Sequence, residues 1–166
     1  MPACVAHHQF GQDVLCYLDD DLKLCAQAYK REFDIGLQGP DIFFYYKPYR
    51  KNEVVDYGVT RHVQPAIKMF APILEKVRKD AALSYMIGLI CHYTLDACCH
   101  PFIDRHGRDP IAHNRIEASY DRHIMLRRKT VESRYLLAHT HEMDFQAMAS
   151  LWPGIEPRTL LWCAKS

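Results

Sequence analysis

Hydrophobic residues along the chain recur mainly at three- and four-residue spacing, which is the period of an amphipathic helix. The first such stripe consists of Val14, Leu15, Leu18, Leu22 and Cys25. It predicts a first helix from about Gln9 to Glu32, which Gly36, Gly39 and Pro40 would end.

A second stripe predicts a helix from Val63 to Lys79, with Pro65 near its first turn. Its apolar positions are Ile67, Phe70, Ile73, Leu74 and Val77. Residues 39–62, between the two stripes, place glycine, proline and charged residues around an aromatic cluster. Their length exceeds an ordinary connection, so we expect a long structured loop.

The segment from Ala81 to about Cys99 is the most apolar in the chain, which predicts a helix at the centre of a bundle. We expect Asp80 to be its N-cap. Pro101 should stop or bend the helix, because proline lacks the amide donor that an interior position needs.

The remaining sequence also predicts helices. Asp109 followed by Pro110 is a good N-cap and first-turn pair, and a helix from Ile111 to about Arg128 is expected after it. One or two shorter helices follow. The sequence has no repeats or linkers, so residues 1–166 are predicted to form one all-α domain. A chain of this length can bury a hydrophobic core without disulfides.

Charge and cysteine content narrow the function classes. Lys plus Arg number 21 and Asp plus Glu number 20, so the net charge is too small to attract nucleic acid or an anionic membrane. Any recognition of phosphate must therefore depend on a few residues at one site. No secretory signal or bilayer-length apolar stretch is recognised, and the seven cysteines form no CxxC pair. We expect a soluble cytoplasmic protein with reduced thiols, in which Cys98 and Cys99 pack in the core.

Three ionisable residues stand out on the apolar helix. His92, Asp96 and His100 are spaced four apart and project from nearly the same face. A buried imidazole and carboxylate must be paired or bind a metal. The His-x3-Asp-x3-His pattern therefore favours a set of metal ligands over satisfied core histidines.

The next predicted helix repeats this spacing. His113 and Glu117 are four apart, with Asp121 a further turn along. Such a pair suits zinc, but it also occurs as a weak surface pair. Further donors are His7 or His8 near the start, and Asp41, Asp56 and His62 in the region 39–62. Because one closed zinc site needs four ligands, this number of donors implies two or three ions and a bridging carboxylate.

Taken together, these motifs resemble the zinc-dependent phospholipase C family, which includes bacterial phosphatidylcholine-hydrolysing enzymes and is distantly similar to fungal single-strand nucleases. The matching segments, within residues 1 to 125, are HHQFGQDVL, GPDIFFYY, the isolated His62, HYTLDACCHPF and HNRIE. The resemblance implies an all-α helical bundle of the phospholipase C and single-strand nuclease type, with three metal ions in a surface cleft.

The resemblance also implies a ligand set. It comprises Asp41, His62, His92 and Asp96 for one ion; His7, the bridging Asp96 and the N-terminal region for a second; and His100, His113 and Glu117 for a third. His100 replaces a family histidine at the position of Phe102, as in the more distant animal phospholipase D branch. No N-terminal tryptophan, which closes one metal site in the secreted enzymes, is present.

The implied reaction is hydrolysis of a lipid or small-molecule phosphoester by metal-activated water, with Asp41 as general base and Asp56 in reserve. Phe44, Tyr45 and Tyr46 are candidate substrate-binding residues, although consecutive aromatics also pack loops onto cores. The alternatives are a phosphatase or nuclease acting on another phosphoester, and a metal-binding protein without catalysis. Neither a nucleic-acid partner nor stable membrane insertion is expected.

Overall fold

The computed structural model describes residues 4–77, 80–107, 109–129 and 143–165, and every regular element in these ranges is a helix. In chain order they are α1 Cys4–Val14, α2 Asp20–Ala28, α3 Lys30–Gly36, a 3₁₀ helix Gly39–Tyr45, α4 Glu53–His62, α5 Ala66–Leu74, α6 Asp80–His106, α7 Pro110–Arg128, α8 Phe145–Ala149 and α9 Pro157–Lys165. The prediction of an all-α fold is confirmed.

Helix α6 is the centre of the bundle, as its composition predicted. It contacts α1, α2, α3, α7, α8 and the 3₁₀ helix. Contrary to the expectation from sequence, α6 is long and apolar enough to cross a bilayer, and no other helix in the described ranges is. Half of its apolar window is buried inside the protein.

Two glycines bring α3 and α6 into backbone contact. A Cβ on Gly36 would lie 2.2 Å from the carbonyl oxygen of Tyr85, and one on Gly88 would lie 2.3 Å from that of Phe33. Only glycine permits this approach. The crossing places the residues after α3, which include Leu37 and Gly39, directly against the middle of α6.

The predicted helix from Gln9 to Glu32 is wrong, since three helices cover this region. A new helix begins at Asp20, where Asp20 and Asp21 lie in the first turn and interact favourably with the helix dipole. The second break is at Tyr29, whose ψ of 49° is not helical. Its carbonyl accepts a 2.8 Å hydrogen bond from Ser84 Oγ of α6, so a tertiary contact coincides with this break.

Other boundaries also differ from the predictions. Residues 39–62 contain the 3₁₀ helix and α4 rather than only a loop, and Asp80 is the first residue of α6 rather than its cap. Helix α6 continues past Pro101 to His106, so the predicted stop at Pro101 is wrong, and Ile103 in that stretch is buried in the bundle. The predicted cap of α7 is confirmed, since Asp109 accepts hydrogen bonds from the amides of Ile111 and Ala112.

Candidate metal centre

A group of imidazole rings surrounds the carboxylate of Asp96 in the C-terminal half of α6. Oδ1 of Asp96 lies 3.1 Å from Nε2 of His7 and 3.6 Å from Nε2 of His100. Oδ2 lies 3.2 Å from Nε2 of both His62 and His92. Histidines that are far apart in sequence thus converge on both oxygens of one carboxylate.

These distances fit the ligands of a cation. Two atoms that each lie about 2.0–2.1 Å from a tetrahedral zinc ion are separated by about 3.3 Å. The observed nitrogen–oxygen separations at Asp96 lie close to this value. Burial alone would raise the pKa of Asp96, but the imidazoles of His62, His7 and His92 outweigh it and hold this pKa well below its usual range.

The ring of His92 is oriented by the main chain. Its Nδ1 lies 3.1 Å from the carbonyl oxygen of Leu37, which can only accept a hydrogen bond, so Nδ1 carries the proton of the neutral ring. The lone pair is then on Nε2, a fully buried atom without a well-directed hydrogen-bond partner. An unpartnered buried nitrogen aimed at two carboxylates is what a metal ligand requires.

His7 is held beside His92 by α1. The two rings stack with centroids 4.1 Å apart, and burial lowers the pKa of His7 to about 4, so this imidazole is neutral at pH 7. The start of α1 is anchored to α7, because Asp121 accepts hydrogen bonds from the amides of Val5 and Ala6 at 3.2 and 2.8 Å. Asp121 therefore caps α1, where its charge also favours the helix dipole.

Asp41 and His62 complete the part of the cluster nearest the 3₁₀ helix. The Asp41 carboxylate is buried, with Oδ1 3.4 Å from Nε2 of His62 and Oδ2 3.9 Å from Nε2 of His92. Burial raises the pKa of Asp41. A bound cation would reverse this effect, because positive charge favours the ionised carboxylate.

A further group lies where α6 faces α7. Nε2 of His113 is 3.1 Å from Oε1 of Glu117, and Nε2 of His100 is 3.9 Å from the same oxygen. On the other side of its ring, Nδ1 of His113 lies 3.5 Å from Oδ1 of Asp104. The sequence interpretation did not include Asp104, although this residue continues the four-residue spacing of His92, Asp96 and His100.

Eight predicted ligands thus meet in one region. Within the described ranges, four groups of three donor atoms lie within 4.8 Å of one another. They are His7, His92 and Asp96; Asp41, His62 and His92; His62, Asp96 and His100; and His100, His113 and Glu117. The residues present fit a cluster of divalent ions.

The family model for zinc dependent phospholipase C matches residues 6–151, which is most of the chain and includes all eight donors. The chain belongs to the zinc dependent phospholipase C family. Searches of curated proteins and of solved structures gave no significant match. Family and site together identify a zinc-dependent, phospholipase C-like hydrolase.

Openings lined by described residues reach the metal centre of this phospholipase C-like protein. A groove of about 620 Å³ borders Asp41, His62, His113 and Glu117 and is lined by the predicted aromatics Phe44 and Tyr45. Tyr46 is not among its lining residues and packs on Trp162 with ring centroids 5.1 Å apart.

Two further openings are smaller. One of about 230 Å³ lies between His62, Asp96 and His100 and is bordered by Arg61, which stacks over Tyr57. The other, about 340 Å³, is mainly apolar and runs along α6 and α7 beside His7 and Glu117.

Several residues that the sequence raised lie outside the cluster. His8 faces Asp34 at 3.8 Å, and Asp56 lies on the exposed surface of α4. Cys98 is exposed and Cys99 is half-buried, so the expected core packing of this pair is wrong. Both line the 340 Å³ opening.

Proposed function

We propose that this protein is a phosphodiesterase of the phospholipase C type, which cleaves a lipid or small-molecule phosphoester with two or three zinc ions. The observation that carries the proposal is the position of Asp96, whose two oxygens each face two imidazole nitrogens. A carboxylate in this position would hold two ions at once. A single four-ligand ion would leave half of the eight donors without a purpose.

The donor geometry supports a specific division of ligands. Asp41, His62, His92 and Asp96 would hold one ion, Asp96 and His7 a second, and His100, His113 and Glu117 a third. Bound in this way, the ions would lower the pKa of water toward ~7 and stabilise charge on the phosphate and the leaving oxygen.

Asp41 is the proposed general base. Its carboxylate is buried beside His62 and borders the 620 Å³ groove. In that position it can orient a water molecule and accept its proton, either as a metal ligand or from just beside the ion. No side-chain nucleophile is required for this reaction.

The groove suggests where the substrate lies. Phe44 and Tyr45 line it together with Tyr49, Val59 and Val63, and its surface is mainly apolar. Such walls suit an alkyl chain or the face-on approach of a cationic headgroup. Tyr46 lies against Trp162 in this structure, and its substrate contact stays a prediction.

The alternatives differ in what the site would process. A phosphatase would prefer monoesters, a nuclease would need a basic groove, and a non-catalytic binder would have closed sites. The balanced charge of the chain does not favour a nucleic acid. The free cysteines among the described residues are consistent with our prediction of a cytoplasmic location.

The test is metal content per chain by elemental mass spectrometry, for the wild type and Asp96→Asn. We expect two or three zinc or similar ions in the wild type and the loss of more than one ion in the variant. Asp34→Asn is the matched control, because Asp34 is about as buried as Asp96 but contacts Lys30 and His8 outside the cluster.

Activity is then measured on bis(4-nitrophenyl) phosphate and 4-nitrophenyl phosphate. Hydrolysis of the diester that Asp96→Asn abolishes and Asp34→Asn retains would support the proposal. One ion or none, unaffected by Asp96→Asn, would overturn the multinuclear site, and preference for the monoester would favour a phosphatase.

A further inference from the structure

The connection between the 3₁₀ helix and α4 has an unusual surface. Residues 46–52 (YKPYRKN) include Lys47, Arg50 and Lys51 and contain no acidic residue. Tyr49 is 98% exposed, more than any other large hydrophobic side chain in the described ranges. We call residues 46–52 the basic loop.

The basic loop is a closed turn held by hydrogen bonds. The Asn52 side chain donates to the carbonyls of Tyr46 and Arg50 at 3.0 and 2.8 Å, and it accepts from the amide of Val55 at 3.0 Å. The amide of Arg50 also donates to the carbonyl of Lys47 at 3.1 Å. These bonds define the turn from which the ring of Tyr49 projects into solvent.

The basic loop also forms one side of the substrate groove. Tyr49 lines this groove with Val59 and Val63, which are 51% and 75% exposed. An aromatic ring and two valines therefore form an apolar rim at the mouth of the groove. Glu53 and Asp56 lie in the first turn of α4, which confines the purely basic surface to the loop.

We propose that the basic loop, with Val59 and Val63, docks the protein onto the surface of an anionic lipid bilayer. Tyrosine prefers the headgroup region, and each Lys or Arg near an anionic surface contributes attraction. The net charge of the chain is +1, so the attraction is local to the loop. Docking there would turn the mouth of the groove toward the headgroups.

This inference goes beyond the proposed function, since it concerns where the protein binds rather than what it cleaves. One aromatic residue, two valines and three cations give weak, reversible attachment and not insertion. Variants of the basic loop leave all eight donor residues in place, so a change in vesicle binding among these variants reports on the loop rather than on the metal centre.

The experiment is cosedimentation of metal-loaded protein with vesicles of phosphatidylcholine alone or mixed with phosphatidylserine. We expect binding to the mixed vesicles, weakened by added salt. Arg50→Gln combined with Lys51→Gln should lower the vesicle partition coefficient at least tenfold, because each cation near the surface raises this coefficient about fivefold. Tyr49→Ser should lower it as well.

Tyr17→Ser is the matched control. Tyr17 is 88% exposed, but it precedes Asp19, Asp20 and Asp21 and lies between α1 and α2. Its substitution should leave vesicle binding unchanged. Metal content and melting temperature, measured on every variant, separate a lost docking surface from a damaged fold.

The outcomes distinguish this proposal from the proposed function. Wild-type protein that holds its metal and cleaves a soluble diester, but binds neither vesicle type, would overturn the docking surface alone. Equal loss in the Tyr17 and Tyr49 variants would overturn it too. Inactive protein that binds mixed vesicles through the basic loop would support docking and contradict the hydrolase.

Discussion

The two halves of α6, divided just before His92, have one continuous helical backbone but different surroundings. In the N-terminal half, Tyr85 and Leu89 are fully buried among apolar neighbours. The polar atoms there are paired within the protein, because Ser84 Oγ donates to the carbonyl of Tyr29 and the Tyr85 hydroxyl accepts from Trp152 Nε1 at 2.7 Å.

The C-terminal half is not completed by the protein alone. His92, Asp96 and His100 bring ionisable groups together, and the buried Nε2 of His92 and the buried Nδ1 of His7, which packs on it from α1, lack a well-directed hydrogen-bond partner. Unpaired buried polar atoms cost free energy. The first half therefore stabilises the fold, whereas the second half is arranged around a ligand that the chain does not supply.

The largest expected effect on stability concerns the first half. Leu89→Ala should lower the free energy of unfolding by about 3 kcal/mol, because it removes a fully buried side chain and leaves a cavity. Denaturant titration of the metal-loaded protein measures this loss. The metal content per folded chain should not change.

Leu24→Ala is the control, since Leu24 is 63% exposed on α2 and its loss should cost less than about 0.5 kcal/mol. If both variants were equally stable, the N-terminal half of α6 would not be the stabilising region.

Removing metal should destabilise the protein, because the ions bind only at the C-terminal half of α6. A chelator is expected to lower the free energy of unfolding by about 2.7 kcal/mol per ion, relative to protein with free zinc at about 100 Kd. Denaturation with and without chelator measures the difference. The Asp96→Asn variant should show a smaller difference, and an unchanged midpoint in the wild type would mean that ions do not stabilise this half.

Gly39→Ala tests whether the backbone that packs on α6 positions the ring of His92. Gly39 has φ +55°, and a Cβ there would lie 2.2 Å from Cδ2 of His92. We expect a backbone cost of about 1–2 kcal/mol from the left-handed conformation, together with displacement of the ring and loss of metal. Elemental analysis and denaturation measure the two effects separately.

Gly154→Ala is the matched control, because Gly154 has φ +88° but no atom within 4 Å of its added Cβ. It should show the backbone cost and keep its metal. Equal metal loss in both variants would show that displacement of His92 is not the cause.

The smallest expected effect is that of Asp104→Asn. This change should weaken metal binding at His113 by about tenfold or less, because the carboxylate that contacts Nδ1 of the ring is 68% exposed. Zinc competition titration measures it. Arg105→Gln, an exposed neighbour, should have no effect; the same weakening there would indicate a general charge effect.

Local sequence was a good guide wherever local interactions decide the structure. The helix that carries His92, Asp96 and His100 at four-residue spacing and the Asp109-Pro110 start of α7 are both present in the structure. The sequence pattern failed to predict the breaks within residues 9–32. A hydrophobic period carries no information on the tertiary contact of Ser84, which coincides with the break at Tyr29. Of the two outcomes predicted at Pro101, the stop is wrong, because α6 continues to His106.

Hydrophobic period and residue chemistry are local properties, so the amino-acid sequence was enough to predict the helical class and, with the family resemblance, the candidate donors. Tertiary packing was needed to show that His7 and His62 reach Asp96, that the Leu37 carbonyl orients His92 and that Asp104 contacts His113. The reason is that such contacts join residues on different helices, and their distances depend on how those helices pack rather than on any spacing within one of them.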